Sequence, residues 1–192
     1  HLIIGSFMHI NSISGLIHHI DYIASPNFND RPVDKTISLI VVHNISLPPN
    51  TFGGSYIEQL FCNQLLAEEH PYFANICHLQ VSAHVLIRRT GQPIQFVPFH
   101  KRAWHAGISS FQECKNCNDY SIGIELEGAD HIPYADEQYR TLTNLITSLQ
   151  QLYPAITQQR IVGHNDIAPK RKTDPGPAFD WDYLFKQLRS EN

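Results

Sequence analysis

Apolar residues recur along the chain with two spacings, period two and period three to four, interrupted by short polar stretches. Ile37-Ser-Leu-Ile-Val-Val-His43 is β-branched and apolar on both faces, which predicts a strand covered on both sides, with His43 at its C-terminal end. From His78 to Arg88 the pattern alternates, setting Leu79, Val81, Ala83 and Val85 against His78, Gln80, Ser82 and His84, and predicts a second strand. Thr90-Gly91 supplies a turn, and Ile94 to Val97 its hairpin partner. Tyr120 to Glu127 alternates again, with Ile122, Ile124 and Leu126 opposite Ser121, Gly123, Glu125 and Glu127, so both carboxylates share a face.

Helical spacing follows the Gly53-Gly54 break, where Ile57, Leu60, Phe61 and Leu65 predict a short helix over 56–66. A longer helix opens at Asp136 and Glu137, where negative charge suits the positive end of the dipole. It carries Leu142, Leu145, Ile146, Leu149 and Leu152 as its stripe, and Pro154 closes it. Arg160 to His164 reads as a short strand and 165–179 as a proline-bearing loop, after which Asp180 can cap a final helix through Leu188. The two prolines within Ser25 to Pro32 mark a lead-in loop. Strands interleaved with helices, plus one hairpin, predict an α/β fold: a single domain with a central mixed β-sheet flanked by α-helices.

Composition narrows the partners. With 192 residues and 42% hydrophobic content the chain can build one sizeable core. A formal charge of -4 gives no electrostatic reason to expect nucleic acid or an anionic membrane, and no apolar run approaches the roughly 18 residues of a membrane span. A small-molecule ligand and a monomer are expected. Leu2 to Ile23 has no Lys or Arg and no convincing cleavage site, so a cytoplasmic rather than secreted protein is expected. Met8 is the only methionine; it is read as the native start, with residues 1–7 foreign to the domain spanning 8–192. The four cysteines read as free thiols, because Cys114-x-x-Cys117 lacks the second pair that a structural zinc site needs.

Twelve histidines are present, and the positions of two matter more than the number. His43 and His164 each end a predicted strand, where side chains can converge at one rim of a sheet. Two imidazoles and a carboxylate form a ligand set that leaves one position of zinc open for catalysis. Their surroundings are distinctive: Val-Val-His43-Asn-Ile-Ser-Leu-Pro-Pro, and Gly-His164-Asn-Asp-Ile-Ala-Pro-Lys-Arg-Lys-Thr-Asp174-Pro-Gly-Pro. These segments resemble the zinc-binding segments of the AmpD branch of the N-acetylmuramyl-L-alanine amidases, which share their fold with phage lysozyme-type amidases and peptidoglycan recognition proteins. The likeness runs from about Ser25 to Leu188. It includes Val-Ser-Ala-His at 81–84, Pro-Phe-His-Lys-Arg-Ala-Trp-His-Ala-Gly at 98–107 and Asn-Asp-Tyr-Ser-Ile-Gly-Ile-Glu-Leu-Glu-Gly at 118–128.

The resemblance implies that His43, His164 and Asp174 bind one catalytic zinc ion. It also implies that Glu125 assists proton transfer and that Lys172 sits beside the reacting carbonyl. Asn44, Trp104 and His105 are implied to contact a soluble muropeptide, Trp104 by stacking on the sugar and His105 by hydrogen bonding to its substituents. His84 is expected to support the site rather than to bind metal, and Lys170 and Arg171 to be solvated. The reaction implied is hydrolysis of the amide between 1,6-anhydro-N-acetylmuramic acid and L-alanine during cell-wall recycling, with an indirect effect on β-lactamase induction through muropeptide levels. Two departures concern the substrate: relatives carry Arg where this chain has Gln80 and Asn116. Two rival readings stay open, a non-catalytic peptidoglycan-binding module and an amidase acting on polymeric murein.

Overall fold

The computed structural model describes residues 8–190, so the stretch 1–7 assigned above as foreign lies outside the described residues. Among the described residues ten strands are present: β1 (Asp21–Tyr22), β2 (Phe28–Asn29), β3 (Leu39–Ile45), β4 (Val85–Ile87), β5 (Pro93–Gln95), β6 (Arg102–Ala103), β7 (Ser110–Phe111), β8 (Cys114–Lys115), β9 (Ser121–Glu127) and β10 (Ile161–Gly163). They are joined by α1 (Tyr56–Phe61), α2 (Asp136–Leu152), α3 (His164–Ile167), α4 (Trp181–Ser190) and short 3-10 turns. Six strands form one sheet in the order β1-β5-β4-β9-β3-β10, with β4, β9, β3 and β10 parallel and β5 antiparallel to β4. The expected mixed sheet flanked by helices is therefore observed.

Two faces of that sheet are covered differently. Ile40 and Val42 of β3, with Ile122, Ile124 and Leu126 of β9, pack under Leu142, Leu145, Ile146 and Leu149 of α2 and Leu184 and Leu188 of α4. Four residues of the α2 stripe, Leu142, Leu145, Ile146 and Leu149, are fully buried, as its helical spacing predicts, and Leu152 at its end is partly buried. On the other face Leu39 and Val41 pack with Ala106, Cys117 and Ile167, while α1 and the segment after it close over Leu86, Ile94 and Phe96. Side chains alternate along a strand, so His43 and Glu125 share this second face. Asp180 caps α4 as expected, its Oδ1 accepting from the Tyr183 amide at 2.9 Å.

Four predicted elements differ. The strand expected from His78 begins only at Val85: Leu79 is exposed, and Val81, Ser82 and His84 are held by separate bonds to Asn27, Trp104 and Gly123. The alternation over 78–84 thus reflects a segment crossing the cleft edge, not a pleat. The helix expected through Leu66 stops at Phe61, because Asn63 takes a left-handed conformation and exchanges side-chain hydrogen bonds with Asn27. The first strand starts at Leu39 and runs past His43, which is its fifth residue. His164 does not end a strand; β10 stops at Gly163, and His164 opens α3.

Candidate active site

The register of the central strands sets the first half of the site. β3 and β9 pair in parallel through seven positions, which places His43 directly beside Glu125. The adjoining strand β10 runs parallel to β3 and delivers His164 at the same carboxyl edge, the usual location of sites in parallel sheets. The loop after α3 then brings Asp174 across. His43 Nδ1 lies 2.9 Å from His164 Nδ1, and Asp174 Oδ2 lies 3.2 Å from each. Three atoms a metal accepts thus form a triangle whose edges approach the ~3.3 Å of a tetrahedron built on zinc bonds of about 2.0–2.1 Å.

The rear nitrogens support the same reading. His164 Nε2 stands 2.9 Å from the Ala106 carbonyl oxygen, which can only accept, so Nε2 carries the proton and Nδ1 keeps a lone pair. His43 Nε2 stands 2.9 Å from Nδ1 of His105. Burial holds the His43 imidazole down at about 4, hence neutral at pH 7 as a metal ligand must be. Burial would raise Asp174, but hydrogen bonds and charge from His164 and His43 outweigh it and hold the carboxyl well below the usual range. Three such atoms converge with no proton to share among all of them, which fits a cation at their centre.

Glu125 Oε1 lies 3.8 Å from His43 Nδ1, and its Oε2 is buried without a hydrogen-bond partner. Burial, then the Asp174 charge, pushes this carboxyl well above its ordinary value, while Lys172 opposes the rise. An unpartnered buried carboxylate oxygen beside a ligand cluster is placed to exchange a proton. Glu127 shares the face but not the environment: it accepts from Arg88, from the Arg89 amide and from the Gly53 amide. It ties the end of β9 to the Gly53 turn and to the segment after β4 instead.

His43, Glu125, Lys172, Asp174, Trp104 and His105 all border one cleft of about 970 Å³. Trp104 presents its ring there while its Nε1–H donates to Asn29 Oδ1 at 3.1 Å. Asn44 also borders the cleft, but its Nδ2 is turned to Asp130 Oδ1, Tyr134 Oη and the Pro175 carbonyl at 2.8–3.2 Å. The amide nitrogen expected to face a muropeptide is engaged by the protein. His105 is likewise engaged at both ring nitrogens, by His43 and by Ser121 Oγ. His84 is fully buried and stands behind His105, consistent with support, their ring centroids 6.0 Å apart. Arg171, expected to be solvated, is exposed and also donates to the carbonyls of Ala106 and Ile108. Gln80 is exposed, and neither it nor Asn116 lines the cleft.

Sequence reasoning missed a clasp on the ligand loop. Asp130 accepts from Asn44 at 2.8 Å and from the Thr173 hydroxyl at 2.5 Å, and Tyr134 Oη donates to the Pro175 carbonyl at 2.7 Å. The residues on either side of Asp174 are thereby tied to the segment following β9. Only the position of Asp130 just past a strand end could have hinted at this.

A mixed sheet whose parallel strands and following loop present a His–His–carboxylate cluster beside a free carboxylate is the arrangement of a hydrolytic enzyme. Residues 33–177 match the family described as N-acetylmuramoyl-L-alanine amidase, and the chain belongs to that family. It is 57% identical over 159 residues to the 1,6-anhydro-N-acetylmuramyl-L-alanine amidase AmpD of Citrobacter freundii, covering 83% of this chain and 84% of that one. A crystal structure of a selenomethionine AmpD derivative superposes with a TM-score of 0.89 at 51% identity, covering 95% of this chain and 98% of that chain. The Escherichia coli amidase AmiD, solved with anhydro-N-acetylmuramic acid-L-Ala-D-γ-Glu-L-Lys, superposes with a TM-score of 0.59 at 27% identity, over 84% of this chain and 65% of that one.

Proposed function

We propose that this protein hydrolyses the amide between 1,6-anhydro-N-acetylmuramic acid and L-alanine in soluble muropeptides, using one zinc ion held by His43, His164 and Asp174. The observation that carries the reading is the triangle of ligand atoms with Glu125 beside it. The substrate rests on the activity for which the 57%-identical relative is named. A cytoplasmic enzyme of wall recycling that works as a monomer is part of the same proposal. Among the described residues no helix is long and apolar enough to cross a membrane.

An amide resists hydrolysis because its carbonyl is a poor electrophile and water a poor nucleophile. Zinc, when bound, supplies a Lewis acid and lowers the pKa of water to about 7. The chain supplies the rest. Glu125, desolvated and with an oxygen free, accepts the proton of the attacking water and returns it to the leaving nitrogen of alanine. Lys172, on the loop beside Asp174, offers its ammonium to the oxygen on which negative charge develops. Trp104 offers an apolar ring to the sugar at the cleft wall.

Mass spectrometry of purified anhydro-muropeptides and, separately, intact sacculi, each incubated with and without chelator, tests this. Free stem peptide from the fragments alone, abolished by chelator, is expected. Release from sacculi only would transfer the protein to the polymeric-murein class. Tight binding without release from either would make it a recognition module.

A further inference from the structure

We infer that His105 is a positioning residue: backed by Ser121 and seated over Gly123, it holds His43 in the tautomer whose Nδ1 can bind the metal. This rests on the reading of His43 as a zinc ligand, and it gives His105 work other than contacting the sugar.

The two histidines of the cluster are oriented by different kinds of partner. His164 Nε2 faces a backbone carbonyl, an acceptor that cannot change roles. His43 Nε2 faces another imidazole nitrogen, His105 Nδ1, at 2.9 Å, which can be donor or acceptor. A neutral imidazole has one N–H. If His105 carries its proton on Nδ1, it donates to His43 Nε2, the His43 proton moves to Nδ1, and the ligand atom is lost. If His105 carries it on Nε2, its Nδ1 accepts from His43 Nε2–H, and His43 Nδ1 keeps its lone pair.

The far end of His105 has a partner that can support the second state. Its Nε2 lies 3.0 Å from Oγ of the fully buried Ser121, a hydroxyl that can donate or accept. Accepting from Nε2–H, the hydroxyl completes the run His43 Nε2–H to His105 Nδ1, then His105 Nε2–H to Ser121 Oγ, and a metal on His43 Nδ1 would select this run over its reverse. Removing the hydroxyl leaves a buried N–H with no acceptor and favours the opposite tautomer. Position 123 completes the seat. A Cβ there would stand 2.6 Å from Nδ1 of His105, so only glycine lets the ring lie flat on β9 between Ser121 and His43.

The test is zinc affinity, measured on the full chain by competition with a chromophoric chelator, together with 15N shifts of the His43 ring in the metal-free protein. His105→Leu is expected to weaken zinc binding about 10- to 100-fold, the range for outer partners of metal ligands. His105→Asn, whose amide oxygen can accept near the Nδ1 position, is expected to restore most of the loss. Ser121→Ala and Gly123→Ala should each weaken binding about several-fold on the scale of such outer contacts. In Ser121→Ala the His43 ring should shift toward the Nδ1–H form. A wild type that binds zinc while all four variants bind it equally well overturns the inference but leaves the metal site standing. Unchanged zinc affinity with a raised KM for anhydro-muropeptide would return His105 to the sugar. A wild type that binds no zinc removes the metal reading itself, and the tautomer role with it. Should His105→Leu fail to fold, Ser121→Ala carries both readouts alone.

Discussion

His43 and Glu125 stand on adjacent strands paired through seven residues, with fully buried side chains beneath them. Lys172 and Asp174 stand on a loop outside the six-stranded sheet, tied down by Asp130, Asn44 and Tyr134. The strand half is fixed by many weak, redundant contacts, so no single polar partner decides where its backbone lies. The loop half is fixed by a few hydrogen bonds, each worth only about 1 kcal/mol net. One site is thus assembled from a robust wall and a clipped-on flap of chain, and substitutions should separate the two.

The largest effect is expected from the loop's own ligand. Asp174→Ala should abolish zinc retention after gel filtration and reduce turnover by more than about 10⁴-fold, beyond the range of a lost general base. His164→Ala should behave alike. Glu125→Ala, on the strand half, should keep zinc and lose about 10²- to 10⁴-fold in kcat with little change in KM. Metal analysis alongside kinetics distinguishes the two. Zinc loss in the Glu125 variant would show that this carboxylate is a ligand rather than a proton carrier.

The same division explains what could be read in advance. The β3 run, the alternation of β9 and the stripe of α2 are local periodic patterns, and burial on one or two faces is what produces them. The Asp180 cap is equally local. His78 to His84 misled because its alternation arises where the chain crosses the cleft edge, with Leu79 left exposed to line it. The end of α1 was hidden because Asn63 is held by Asn27, a partner far away in sequence. At the site, residue types and motif context singled out His43, His164 and Asp174, and folding brings them together. The engagements of Asn44 and His105 were illegible: an amide or imidazole looks the same whether it faces substrate, Asp130 or another histidine.

Asp130→Ala aims at the clasp. It leaves the Thr173 hydroxyl without its acceptor and the Asn44 amide with only Tyr134 Oη and the Pro175 carbonyl, at a cost of about 1–3 kcal/mol. Zinc affinity should fall about 10- to 100-fold, because the segments flanking Asp174 lose a tether. Glu127→Ala is the counterpart on the strand half. It strips Arg88 of one buried partner, though Glu58 remains, so stability should fall by about 3 kcal/mol. Zinc affinity of the folded protein should nevertheless stay within about twofold of wild type, a change of under 1 kcal/mol. If Glu127→Ala weakens zinc as much as Asp130→Ala does, the two halves are mechanically one.

Tyr134→Phe makes the finest cut. Its hydroxyl donates to the Pro175 carbonyl at 2.7 Å and accepts from Asn44 Nδ2 at 3.1 Å. The ring packs against Tyr139 and Phe179 and over Gly128, contacts that phenylalanine retains. Only the polar link is therefore removed. Pro175 keeps a second donor in Asn44 at 3.2 Å, so its carbonyl is not left bare. The loss should be about 1 kcal/mol, or roughly 2–4 °C in Tm for a chain of this size. Zinc affinity should fall by no more than about fivefold, the equivalent of that energy if all of it acts on Asp174. Calorimetry of the metal-free protein with chelator competition resolves the split. A full loss in Tm with unchanged affinity means that Tyr134 holds the fold but not the ligand, leaving Asp130 as the residue that places Asp174.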